Sequence, residues 1–220
     1  MLTAVAGLFA LITCVVIGHW YLTRVDELGR QVAFPKLWVA LLVVLSLFAA
    51  TPGVLRARLE NRLSGVASTL SGRRVRVRCQ AFGAAFVDAG GELGYVKWKQ
   101  DGTPVSWTLI KRNQCNDLSG YLDSGKHDTN FKRMLAVHIL THESMHLASI
   151  TNEAAAECAA VQRDARTARL LGASAVDARA LAAQYYATVY PRMPDAYRSA
   201  DCKAGGVLDE GLEDAPWLAA

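Results

Sequence analysis

The stretch that decides the reading is Ala136-Val137-His138-Ile139-Leu140-Thr141-His142-Glu143-Ser144-Met145-His146-Leu147. It is mostly apolar, holds no Gly or Pro, and suits a buried helix. Within it His142 and His146 stand four residues apart. On a helix that spacing puts both imidazoles on one face, a turn apart, where they can meet one tetrahedral ion. Glu143 lies between them, placed to hold a water at that ion and to accept its proton. Five histidines in 220 residues make such a match rare by chance. Polar groups in so apolar a helix are costly to bury without a partner. A metal site is therefore favoured over a pair of packed histidines. His138, one turn earlier, reads as a packed or bracing histidine rather than a ligand.

The residues that follow strengthen the reading. Thr151 and Asn152 are good N-caps, and the alanine-rich run from Glu153 to Gln162 is strongly helical. A second helix after so short a turn folds back on the first as an αα-hairpin. Glu153 and Glu157, again four apart, share one of its faces. That face can meet the histidines. A solvated helix face carrying favourable N-terminal charge is the plainer reading of both acids.

At this point the chain resembles the gluzincin metallopeptidases, the zinc enzymes that include thermolysin. In them a second helix carries N-E-x-x-x-D, whose first acid is the third ligand and whose second braces a ligand histidine. Asn152-Glu153-Ala154-Ala155-Ala156-Glu157 fits, with Glu in place of the usual Asp. The gap from His146 to Glu153 is shorter than in thermolysin-like enzymes, so the third ligand stays open between Glu153 and Glu157. The metzincin pattern would need Gly at Ser149 and a ligand at Asn152, and fits poorly. The resemblance spans residues 131–162. It implies a zincin-like domain, a zinc ion as cofactor, a peptide or protein substrate that can pair with a sheet edge, and an oxyanion stabiliser downstream. Tyr186, Tyr190 and Tyr197 are the candidates for that last role; packing on the third helix is the competing reading of each. The whole layout also resembles membrane-anchored proteins of actinobacteria.

Outward from the motif, the 52% hydrophobic content is concentrated before residue 56. Residues 2–22 carry no charge and end in Trp20 and Tyr21; residues 37–55 are again uncharged. Two such runs separated by a short charged loop predict a transmembrane hairpin over residues 1–55, with the lipid bilayer as partner. Residues 56–72 read as an amphipathic juxtamembrane helix, its arginines free to meet lipid phosphates. The zincin-like domain spans 73–204. Alternation predicts strands over 73–79, 94–99 and 105–110, forming a small antiparallel sheet. Helices are expected over 115–122, 130–148, 153–171 and from 174 to Pro191. The acidic, Gly-rich tail, 205–220, is expected to be loose.

The fold class is therefore α+β: a transmembrane helical hairpin, then a zincin-like domain with a small sheet and a helical active-site half. The net charge of +4 is mild and does not suggest a nucleic-acid partner. Cys79, Cys115, Cys158 and Cys202 form no C-x-x-C pair, and an even, dispersed set suits two disulfides in an oxidising compartment. Cys79–Cys115 with Cys158–Cys202 is the pairing adopted. Basic residues flank both ends of the second span, so charge alone does not orient the hairpin; the cysteines put the C-terminal domain outside the cytoplasm, on the cell membrane. The expected function is a membrane-anchored zinc peptidase with Glu143 as general base. The alternative is a zinc-binding sensor or interaction domain without turnover.

Overall fold

A computed structural model describes residues 2–25, 29–81, 93–127 and 130–218. The chain divides into two compact units, Met1–Arg58 and Leu59–Ala220. The first contains α1 (Leu2–Thr23) and the opening half of α2 (Lys36–Ser71). Small residues meet where these helices pack: Ala6 and Ala49 are buried and Ser46 Oγ donates to the Ala6 carbonyl at 3.0 Å. Small side chains allow close approach of two backbones, the usual device between apolar helices in lipid. Trp20 Nε1 donates to the Val32 carbonyl at 3.0 Å, closing the turn. Both helices are long and apolar enough to cross a membrane, with mean hydropathy 1.9 and 2.2.

The sequence reading ends the second span at residue 55 and starts a juxtamembrane helix at residue 56. Instead α2 runs through Pro52 to Ser71 without interruption. Leu63, Val66 and Ala67 are buried in the core of the second unit, and Arg62 donates to the Leu170 carbonyl at 3.0 Å. The apolar positions of residues 56–70 thus face protein.

In the second unit, β1 (Arg76–Cys79), β2 (Gly94–Trp98) and β3 (Pro104–Ile110) form one sheet, in the order β1-β3-β2. The predicted antiparallel sheet is corrected here: β2 pairs antiparallel to β3, but β1 runs parallel to it, Val77 opposite Thr108. Alternation reports which face is buried and is blind to strand direction. The tail of α2 supplies the direction. Ser68, Ser64 and Glu60 accept in turn from the backbone N–H of Val75, Val77 and Cys79, so β1 runs back along the helix.

Five helices follow: α3 (Arg112–Leu122), α4 (Phe131–Leu147), α5 (Glu153–Val161), α6 (Asp164–Leu170) and α7 (Ala175–Thr188). Asn130, Asn152 and Ser174 cap α4, α5 and α7 with their side-chain oxygens. The expected single helix over 153–171 is broken at Gln162 and Arg163. Gln162 Nε2 is drawn to the Leu208 carbonyl and Arg163 pairs with Glu210. The same contacts order the C-terminal segment, where the composition predicted a loose tail. Leu208 and Trp217 pack on the core. Two disulfides are present as expected, Cys79–Cys115 tying β1 to α3 and Cys158–Cys202 tying α5 to the segment after α7.

Candidate metal centre

From Ala136 to Leu147 every residue of α4 is buried, the histidines included. After α4 the chain turns at Ser149, which adopts φ +77, the left-handed value that favours glycine. That turn reverses direction within a few residues and lays α5 against α4.

Three atoms converge as a result. His142 Nε2 and His146 Nε2 are 3.0 Å apart, and Glu153 Oε2 lies 3.2 Å from each. The other ring nitrogens fix what these atoms can do. His146 Nδ1 donates to the Ile150 carbonyl at 2.7 Å. His142 Nδ1 donates to Glu157 Oε2 at 2.9 Å. Both partners only accept, so each neutral ring turns an unprotonated Nε2 toward the same point. Two nitrogen lone pairs and a carboxylate oxygen then face one another without a donor. Such a set repels itself unless a cation sits among them. Its edges also match: ligands at about 2.0–2.1 Å in a tetrahedron are about 3.3 Å apart. The residues therefore fit a metal ion, and these buried His and Glu groups could hold one.

A proton competes for the same place. Burial opposes charge on His142, but hydrogen bonds to Glu153 and Glu157 outweigh it and raise it to about 9. His146 is lowered, by burial and by the charge on His142. Glu153 is held below the usual carboxylate range by its hydrogen bond to His142. An ion entering this point displaces any proton that His142 carries.

The two glutamates take different roles. Glu153, partly exposed, faces both Nε2 atoms; Glu157, buried, stands behind His142. His138 meets Glu157 too, through Nε2 at 3.0 Å, and His138, His142 and Glu157 form a second buried group whose atoms lie close enough together to hold an ion. Burial opposes the imidazolium of His138, yet Asp164 and Glu157 overcome it and raise it to about 10. Glu157 is pushed well below its usual range by its histidine neighbours, against its burial.

No family model, curated protein or solved structure matches this chain. The site is therefore read from its own geometry.

A cleft of about 580 Å³ opens over the centre. Gly94, Tyr95, Val96 and Trp98 of β2 form one wall, and His142, Glu143, His146 and Glu153 the floor. Phe131, Leu135, Ile139, Val189 and Met193 make its apolar end. Glu143 is 5% exposed and sits under β2. A Cβ built at Gly94 would lie 2.8 Å from Glu143 Oε1, so a larger residue there would displace the Glu143 side chain. Thr108 Oγ1, donating to the Tyr95 carbonyl at 2.9 Å, lies 3.4 Å from Glu143 Oε2.

Of the three tyrosines picked from sequence, one stands at the cleft. The Tyr197 ring is 5.9 Å from that of His142. Tyr186 and Tyr190 are placed elsewhere: their hydroxyls donate to the carbonyls of Cys202 and Ser199, fixing the segment after α7. The sequence reading missed Tyr185, whose hydroxyl donates to Glu157 Oε1 at 2.7 Å, and Asp164, which accepts from His138 Nδ1 at 2.8 Å. Asp164 is seven residues past Glu157, two helical turns along the same face, and that spacing was the available signal. A second cleft, of about 550 Å³, lies between α6 and the C-terminal segment and contains none of these groups.

Proposed function

We propose that this chain is a membrane-anchored zinc metallopeptidase of gluzincin type. The observation that carries the reading is the convergence of His142 Nε2, His146 Nε2 and Glu153 Oε2 beside Glu143, at the floor of a cleft walled by β2. Two imidazoles and one carboxylate are the protein ligands of an open catalytic site; a structural site closes with four. When bound, the ion supplies Lewis-acid chemistry, acidifying a water and polarising the scissile carbonyl.

The protein's own groups do the rest. Among the described residues β2 pairs only with β3, and it lines the cleft. Its outer edge offers backbone N–H and C=O groups to an extended peptide. Glu143 accepts the proton of the attacking water at its carboxylate and delivers it to the leaving amine. Tyr197, whose ring lines the cleft 5.9 Å from that of His142, is the residue we assign to meet the carbonyl oxygen as charge develops there. The apolar end of the cleft holds a substrate side chain and excludes water. α1 and the first part of α2 anchor the chain in the cell membrane, and the two disulfides favour the second unit on the oxidising, extracytoplasmic side.

The test is Glu143→Gln in the full chain, assayed on a quenched-fluorescent peptide library with zinc content measured in parallel. Hydrolysis falls by about 10²–10⁴-fold while zinc is retained. Wild-type chain that binds zinc and cleaves nothing would leave a metal-binding domain without turnover.

A further inference from the structure

In the reading above His142, His146 and Glu153 hold the metal, and Glu157 behind His142 belongs to the motif already described. The buried groups continue well past it. Glu157 is 1% exposed, His138 2% and Asp164 0%. Glu157 Oε2 accepts from both His142 Nδ1 and His138 Nε2, and Oε1 accepts from the Tyr185 hydroxyl. His138 then donates through Nδ1 to Asp164 Oδ2. The Tyr185 ring lies flat on the imidazole of His138, centroids 3.7 Å apart and planes 13° from parallel.

We infer that Asp164 and His138 are positioning residues for the metal centre: they fix Glu157, and through Glu157 the orientation and tautomer of the His142 ring. The inference rests on the metal reading above. Packing alone does not account for the set. Two carboxylates, an imidazole and a phenol are expensive to bury, and apolar side chains of equal volume would fill the space more stably. What the apolar set could not do is hold a carboxylate still. A glutamate on its own has three rotatable bonds; Glu157 is pinned at both oxygens by groups from α4 and α7. His138 is pinned in turn by Asp164 from α6. Asp164 stands in the first turn of α6, just past the break after Val161. Four helices thus converge on one rotamer of one metal-facing ring.

The experiment compares wild type, Asp164→Asn and His138→Gln as full chains in detergent. Zinc affinity is read by competition with a chromogenic chelator, and the geometry of the centre by the visible absorption bands after cobalt(II) substitution. Both variants weaken zinc by about 10–100-fold, the range found for outer partners of ligand histidines, and shift the cobalt bands. Tyr185→Phe removes one hydroxyl from Glu157 and keeps the ring; it moves both readouts in the same direction and decides the matter if the other two do not fold. Folded variants with wild-type zinc affinity and cobalt spectrum would reduce the network to packing and overturn the inference alone. A wild-type chain that binds no zinc would remove the functional reading and the brace together.

Discussion

The most apolar helices of this chain are its least buried, and its most completely buried helix is studded with ionisable groups. α1 and the first part of α2 turn Leu8, Leu11, Val15, Leu41, Val44, Leu47 and Phe48 outward. α4 buries three histidines and a glutamate. Hydrophobicity alone would have placed the core in the wrong half of the molecule. In the hairpin, exposed apolar side chains sit on helices long and apolar enough to cross a membrane. In α4, buried polar groups need hydrogen-bond partners or an ion. The first region is specified by composition and the second by pairing.

That contrast can be broken at its boundary. Leu63 is fully buried, and Ser64 and Glu60 hold the N–H groups of β1. A chain starting at residue 66 lacks all three. It should fail to fold, giving no near-ultraviolet circular dichroism from its aromatic side chains, whereas the full chain in detergent gives a cooperative transition. A well-folded 66–220 fragment would show that the end of α2 is dispensable to the core. A smaller effect sharpens the same contrast. Leu140→Ala in α4 should cost about 2–5 kcal/mol by cavity formation, while Leu47→Ala in the hairpin changes the unfolding of the second unit by less than about 0.5 kcal/mol. Thermal unfolding followed by aromatic circular dichroism measures both; equal losses would mean that the hairpin leucines are part of the same core.

Much of this was legible in the chain itself. The four-residue spacing of His142 and His146 gave their shared face, and Asn130 and Asn152 marked where α4 and α5 begin. The cysteines pair as expected. The choice between Glu153 and Glu157 was not legible, because one helical turn gives a shared face and not a depth; the depth depends on how tightly Ser149 turns the chain. Strand direction was hidden for a similar reason, since alternation is the same whichever way β1 runs. Tyr185 is one of the buried positions of α7, and only the place of Glu157 gives its hydroxyl a partner. Tyr186 and Tyr190 looked equally available, yet their hydroxyls are engaged by Cys202 and Ser199.

The central claim is that α4 and α5 together grip one dication. Metal analysis of the purified full chain, beside His146→Ala, tests it most directly. The account predicts stoichiometric zinc in the wild type, released by a chelator with a fall in thermal stability, and near-zero zinc in the variant. Wild-type protein without zinc, or zinc uptake that ignores the loss of His146, would contradict it.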